Sequence, residues 1–214
     1  MTHCITESLQ SPRHIIRRSA SVAALSAALA AGLLQPAYAG HVTSPPVPLN
    51  LEVPSGNKAF LVGYAVGTQN YVCLPSGPGF AWVLFGPQAT LFNDDEKQLI
   101  THFLSPNPDE GGTPRATWQH SRDTSAVWAI AAASSSDPAF VASGAIPWLR
   151  LETVGAQDGP TGGDKLSETT FIQRLNTAEG VMPASGCTQS TDVGKKALVP
   201  YTADYFFYKA ADSD

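Results

Sequence analysis

The chain has 214 residues, of which 43% are hydrophobic and only 14% are charged, with a formal net charge of −5. This balance excludes a disordered polymer, which needs high charge and low hydrophobicity. It also argues against nucleic acid as a partner, because binding to a phosphate backbone needs clusters of Lys and Arg. The length suits one domain with a sizeable core.

Residues 1–39 have the pattern of a secretory signal peptide. Arg17 and Arg18 end a basic region, an uncharged run follows over Ala20–Leu34, and small residues precede the end of the segment. The run is shorter than the about 20 residues that a membrane-spanning helix needs. We therefore expect cleavage after Ala39, a secreted or periplasmic protein, and no integral membrane segment after removal of the signal. The arginine pair leaves the general and twin-arginine export routes both open.

Two cysteines remain once Cys4 has left with the signal peptide. Cys73 and Cys187 are far apart in the chain, without the close spacing of paired zinc ligands. An exported protein with two cysteines most simply forms one disulfide between them. Two buried free thiols, or half of a metal site, are the alternatives.

Residues 40–57 contain four prolines, which favour an extended N-terminal arm lying on the domain. The remainder, 58–214, alternates short apolar runs with turn clusters and has no helical periodicity over three turns. The strand candidates are Ala59–Cys73, Ala81–Phe85, Ala89–Phe92, Gln98–Leu104, Thr117–Ser121, Ala126–Ala132, Ile146–Val154, Thr169–Thr177 and Tyr201–Tyr208. This spacing predicts a single all-β domain, an antiparallel sandwich or small barrel of nine to ten short strands with long loops.

The last strand candidate, Tyr201–Tyr208, has a clear division into two faces. Alternate residues from Tyr201 to Phe207 share one face, whereas Asp204 lies on the other. An aspartate on so apolar a strand is expected to be either solvated or paired. Two wide loops, 105–114 and 155–168, are the expected rim of any binding site, because loops carry function more often than strands.

No catalytic motif is present, and the catalytic residues and cofactors stay unknown from the sequence. There is no nucleophile elbow of the form G-x-S-x-G and no H-E-x-x-H zinc motif. Strand pairing could bring His102 and His120 together with Asp123 or Asp204 as ligands of a transition metal. Each histidine is more often a lone strand or surface residue, so we assign no metal site.

A series of short motifs runs along the chain, beginning with Gly67–Cys73 (GTQNYVC). The further pieces are Trp82, Pro87, His102, Trp118, Trp148–Leu149, Ile172–Thr177, Gly180, Pro183, Gly186–Cys187 and Val199–Tyr205. In this combination, over about residues 50–208, the chain resembles the uncharacterised exported family called domain of unknown function 3455. It departs from the family pattern at Asp123–Ser125, where Thr replaces a glycine. The resemblance implies an exported domain without an established activity.

The candidate ligand-binding residues follow from their places in these motifs. Polar side chains expected to face a shared pocket are Gln69, His102 and Arg174, and aromatic side chains that could stack on a small molecule or glycan are Tyr71, Trp82 and Trp118. The leading hypothesis is a non-catalytic binding or envelope-associated protein. The alternatives are a metal- or cofactor-dependent enzyme that uses His102 with neighbouring polar residues, and a structural or stress-related surface protein.

Overall fold

The computed structural model describes residues 42–211, in which eight antiparallel strands form a closed barrel. The strands are β1 (Asn57–Ser76), β2 (Gly79–Phe92), β3 (Gln98–Asn107), β4 (Thr113–His120), β5 (Ala126–Ser135), β6 (Trp148–Gln157), β7 (Thr169–Glu179) and β8 (Lys196–Ala210). Each strand pairs with its neighbour in the chain, and β8 returns to pair with β1 over most of its length. Three 3-10 turns, Leu49–Leu51, Pro108–Glu110 and Ser190–Asp192, complete the regular structure.

The prediction of an all-β antiparallel domain is confirmed, and of the two architectures considered the described chain forms the barrel. The eight strands are fewer and longer than the nine to ten short strands expected. One reason is that Gly86 and Pro87 do not end a strand. Asn70 pairs with Gly86 and Tyr71 with Leu84, so the chain passes through a β-bulge and β2 continues.

The barrel interior is an apolar core built from alternate residues of every strand. On β8 the predicted face is confirmed, because Tyr201, Ala203, Tyr205 and Phe207 are all buried inside. Other inner residues are Ala65, Ala89, Leu91, Ile100, Trp118, Val127, Ala129, Leu151 and Ile172. Successive residues of a strand point to opposite sides, so eight strands fill one common interior.

A second core lies on the outer side of the sheet, beneath the segment that precedes β1. Leu51 is fully buried and packs with Trp148, Phe206 and Tyr208. Gln173 of β7 connects the covering segment to the sheet, because its Nε2 donates to the carbonyl oxygen of Leu51 and its Oε1 accepts from the Tyr208 hydroxyl of β8. This cover explains why β8 is apolar on both faces.

Asp204 lies on that outer face, at the edge of the covered area. Its carboxylate accepts a hydrogen bond of 2.7 Å from the side-chain amide of Asn176. Of the two states expected for Asp204, solvated or paired, the structure therefore has the paired one. Burial raises the pKa of Asp204, and the hydrogen bond from Asn176 opposes this effect.

The connection between β6 and β7 closes one end of the barrel. Leu166 is fully buried and belongs to the inner core. The carboxylate of Asp123 accepts hydrogen bonds from the backbone and hydroxyl of Ser125 and from the backbone of Lys165. The Ser125 hydroxyl oxygen in turn accepts from the backbone N–H of Leu166. The turn in which Thr124 replaces the family glycine therefore anchors this closing loop.

The barrel wall parts between β2 and β3. Their pairing begins at Ala89 opposite His102 and continues only toward Phe92, so the first part of β2 pairs with β1 alone. The β3–β4 hairpin bends outward across β5 and β6, where Ser105 accepts from the indole N–H of Trp128 and Asn107 donates to the backbone of Val154.

The disulfide predicted between Cys73 and Cys187 is confirmed, with 5.5 Å between the two Cα atoms. It attaches the connection between β7 and β8 to the β1–β2 hairpin. The predicted signal peptide, 1–39, lies outside the described residues. Within residues 42–211, no helix has the length and hydropathy needed to cross a membrane.

Candidate functional site

A cavity of about 160 Å³ lies inside the barrel. It is lined by Gln69, Leu84, Pro87, His102, Ala116, Trp118, Ala129, Ala131, Leu149, Leu151, Arg174 and Tyr205. Leu84 is 52% exposed and Ala131 is also exposed, so these two residues mark its opening to solvent. Most of the wall is apolar, with a few polar groups among the lining side chains, which is the usual composition of a small-molecule pocket.

Four of the six predicted ligand-binding residues line this cavity: Gln69, His102, Trp118 and Arg174. Tyr71 and Trp82 lie elsewhere and hold the β7–β8 connection in place. The Tyr71 hydroxyl donates to the carbonyl oxygen of Gly180 at 2.7 Å, and the Trp82 indole donates to that of Ser185 at 2.9 Å.

The two loops expected to form the rim, 105–114 and 155–168, contribute none of the residues that line this cavity; residues of both loops line a groove outside the barrel instead. One loop lies in the outward-bent hairpin, and the other closes the barrel.

His102 lies on β3 with its ring stacked on that of Trp118, with centroids 4.1 Å apart and planes 11° apart. Its Nδ1 lies 2.8 Å from the carbonyl oxygen of Thr117, so a proton on Nδ1 satisfies this acceptor and leaves the lone pair on Nε2. Burial lowers the pKa of His102 to about 3; the bond to Thr117 opposes this, and the charge of Arg174 adds to it. The ring is therefore neutral at physiological pH.

Arg174 supplies the positive charge of the cavity. Its Nη2 donates to the carbonyl oxygen of Pro147 at 2.8 Å, whereas its Nε is buried and has no hydrogen-bond partner. Among residues 42–211, no carboxylate lies within 4.0 Å of this guanidinium. Arg174 therefore bonds to a loop carbonyl, and Asp204 pairs with Asn176 instead.

Two further N–H donors in the cavity wall lack a well-formed hydrogen bond, namely the side-chain amide nitrogen of Gln69 and the indole nitrogen of Trp118. Burial raises the pKa values of the Tyr201 and Tyr205 hydroxyls, and Gln69 and Arg174, respectively, lie close enough to oppose this rise, so of the three donors only the Trp118 indole has no acceptor nearby. Gln69 and Trp118 are 2% and 1% exposed. Buried polar groups are nearly always hydrogen-bonded, so three poorly satisfied donors around one cavity call for an explanation.

Sequence reasoning missed Tyr205, Leu84 and Ala131 as members of the site. Tyr205 carried a usable signal, because the alternation along β8 places it on the inner face. Its ring centroid lies 5.3 Å from that of His102, and burial raises the pKa of its hydroxyl. Leu84 and Ala131 carried no such signal, since an apolar residue at a barrel mouth has the same local pattern as one in the core.

The histidine cluster considered as a metal site does not form within the described chain. His120 Nδ1 lies 3.0 Å from the carboxylate of Asp123, whereas Nδ1 of His102 bonds to Thr117. In residues 42–211, no three His, Cys, Asp or Glu side chains gather where they could hold an ion.

Four larger grooves, of about 300 to 620 Å³, lie elsewhere on the described surface. The groove of about 620 Å³ is lined by outward residues such as Trp128, whose indole N–H already donates to Ser105. The groove of about 610 Å³ follows Tyr64 and Val66 to the β2–β3 turn. None of the four is lined by a predicted ligand-binding residue or by one of the poorly satisfied donors, so the smaller interior cavity is the better candidate.

The buried neutral state of His102 makes stability depend on pH. The folded pKa of His102, about 3, lies below the ordinary histidine value of 6.5, so the unfolded chain takes up a proton more readily than the folded one. The free energy of unfolding therefore decreases as the pH is lowered from 6.5 toward 3. Between pH 7 and pH 5 we expect a loss of about 2 kcal/mol from this group. Denaturant unfolding at the two pH values measures it.

The control for this prediction is His102→Gln, which lacks the titrating ring. We expect the variant to lose about 2 kcal/mol less than the parent between pH 7 and pH 5, because every other titrating group, Asp204 included, is common to both proteins. Equal losses in the two proteins would contradict a buried neutral histidine.

Comparison with known proteins gives a family but no described activity. A family model described as "Protein of unknown function (DUF3455)" matches residues 54–209, which is more than half of the chain and covers the eight strands apart from the last residue of β8. No curated protein and no solved structure matches the chain.

Proposed function

The chain belongs to the family of proteins of unknown function DUF3455, and on the geometry of its cavity we propose that it is an exported protein that binds a small molecule inside its barrel without transforming it. Export is supported by the signal pattern of residues 1–39 and by the disulfide, since disulfides persist in oxidising compartments. An association with the cell envelope fits the same location.

The observation that carries the proposal is the set of poorly satisfied donors. Trp118 holds an unpartnered indole N–H, and the Gln69 amide has only a weak contact with the Tyr201 hydroxyl, in a cavity that also exposes the neutral ring of His102. Burying an unpaired donor costs about 1–3 kcal/mol, so a ligand that accepts from these groups recovers free energy that the empty protein lacks. A purely structural protein would gain from filling this space with side chains.

The lining residues favour binding over catalysis. They include no Ser, Thr, Cys, Lys, Asp or Glu among the described positions, and the one lining hydroxyl, that of Tyr205, contacts the Tyr201 hydroxyl and has its pKa raised by burial, which disfavours a nucleophilic phenolate. A second candidate function, an enzyme that uses His102, is favoured by one observation, namely that the neutral ring has a free lone pair on Nε2 if Nδ1 is protonated. Recovery of a bound probe unchanged after prolonged incubation separates the two.

The test uses a neutral single-ring probe, benzyl alcohol, since a cavity of about 150 Å³ accommodates one benzene ring. We expect saturable quenching of tryptophan fluorescence, because Trp118 lines the cavity. Ala131→Phe, at the opening, should weaken binding at least 10-fold by filling the space. Titration followed by fluorescence gives both dissociation constants.

The matched control is Ala132→Phe, which adds the same ring to an exposed neighbour that does not line the cavity. This variant should bind like the parent. The proposal fails if the parent shows no saturable binding, or if the two phenylalanine variants behave alike.

A further inference from the structure

The charge inside the cavity is positive and has no counter-charge among the described residues. Arg115 has its carboxylate at 2.7 Å, in Glu110, and Arg150 has Glu152 at 3.6 Å. Arg174 has none within the same range, and none of the described lining residues is Asp or Glu. A half-buried guanidinium without an anion is the feature that a bound anion would complete.

The field of this charge reaches aromatic rings in the cavity wall and beside it. The positive charge of Arg174 lowers the pKa values of His102, Tyr71, Tyr201 and Tyr205, although burial outweighs it for each tyrosine. His102 is neutral and adds no second positive charge. The interior therefore matches an anion of one charge better than a phosphate dianion.

The neutral groups of the wall fit the same kind of ligand. Trp118 contributes an unpartnered indole N–H, and the Gln69 amide and the Arg174 guanidinium have only weak contacts with the hydroxyls of Tyr201 and Tyr205, respectively. A carboxylate has two oxygens with about four lone-pair sites and accepts only, so it can satisfy several such donors at once. A sugar, by contrast, brings its own hydroxyl donors and is poorly matched by so apolar a wall.

The size and lining of the cavity define the rest of the ligand. A volume of about 160 Å³ leaves room for one ring. The remaining wall is apolar, formed by Leu84, Pro87, Ala129, Leu149 and Leu151, and the stacked rings of Trp118 and His102 provide a flat aromatic surface. We propose, on the basis of the binding function above, that the ligand is a monocarboxylate whose apolar body has the size of a single ring, with its carboxylate at Arg174.

The experiment compares three probes of one shape, namely benzoate, benzamide and benzylammonium, by calorimetric titration of the purified protein. We expect benzoate to bind at least 10-fold more tightly than benzamide, and benzylammonium not to bind, because a charge-assisted pair with Arg174 favours the anion. Equal or weaker binding of benzoate relative to benzamide overturns the carboxylate assignment.

The variant that tests the residue is Arg174→Gln, which removes the charge. We expect it to weaken benzoate binding by about 10- to 100-fold and benzamide binding by less than 3-fold. The matched control is Arg150→Gln on the neighbouring strand, because Arg150 also donates to a backbone carbonyl, that of Glu52, but lies outside the cavity. This control should bind benzoate like the parent, and equal losses in both variants overturn the assignment.

The outcomes separate this inference from the proposed function. If benzyl alcohol binds and Ala131→Phe blocks it while benzoate has no advantage, binding stands and the ligand class is wrong. If no probe binds the parent, the proposed binding function and the carboxylate assignment are both wrong. Should Arg174→Gln fail to fold for lack of its bond to Pro147, Arg174→Lys keeps the charge, and the comparison of benzoate with benzamide in the parent decides the assignment.

Discussion

Removing the Cys73–Cys187 disulfide is expected to lower the free energy of unfolding by about 4 kcal/mol, because the bridge closes a loop of more than 100 residues. In the chain-entropy model, a disulfide stabilises more when its loop is longer, because breaking the bond then frees more conformations of the unfolded chain. The double variant Cys73→Ala/Cys187→Ala, unfolded in urea beside the parent, measures the difference.

The location of the bridge supports a large effect. Cys73 is fully buried, and its backbone N–H and carbonyl pair with Lys195 and Gly194 of the β7–β8 connection. That connection has one short 3-10 turn, and its other attachments are single hydrogen bonds from Tyr71 and Trp82 and a β-bridge between Gly180 and Ala145. Reduction of the parent should reproduce the loss seen in the double variant. A loss below about 1 kcal/mol would show that the unfolded chain is already constrained.

Gly67→Ala is expected to destabilise the barrel by about 3 kcal/mol, because an added Cβ has no space. A Cβ at this position would lie 2.2 Å from the carbonyl oxygen of Gln88 and 2.5 Å from both Cα and Cβ of Ala89. These are mostly backbone atoms of the paired strand β2, so no side-chain rotation relieves the overlap. The two strands would have to separate at this point of the ladder.

Gly79→Ala is the matched control for this substitution, since Gly79 begins β2 in the same hairpin. The nearest atom to its added Cβ is the carbonyl oxygen of Ser76, at 3.9 Å, an ordinary contact. We expect a change within about 0.5 kcal/mol for this variant. Thermal or urea unfolding of both variants tests the pair, and similar stabilities would contradict a close approach at Gly67.

The parts of the fold that could be predicted are those written in local patterns. The alternation of Tyr201–Tyr208 places Tyr205 inside the barrel, and short apolar runs between turn clusters define an all-β chain. Closure could not be predicted, because it depends on the pairing of β1 with β8 from opposite ends of the domain. The β-bulge at Gly86 was hidden as well, since Gly-Pro has the same local signature whether the strand ends or bends.

The candidate site was predictable only as a set of residue types in family motifs. Gln69, His102 and Arg174 do converge on one cavity, but nothing in their local sequence says so. Tyr71 and Trp82 belong to the same motifs and instead donate to loop carbonyls. A tyrosine or indole donor has the same chemistry toward a ligand as toward the backbone, so only the tertiary structure separates the two roles.

The parting of the barrel wall has a consequence for self-association. Where β2 leaves β3, and where β4 leaves β5, the strands present edges that another chain could extend by hydrogen bonding. Pro87, Pro106 and Pro114 lie on these open stretches, on β2, β3 and β4. Proline has no N–H to offer an incoming strand. Proline thus hinders extension of β3 and β4, whereas the proline-free start of β2, with Val83, Leu84 and Phe85 exposed, remains the stretch that another chain could extend.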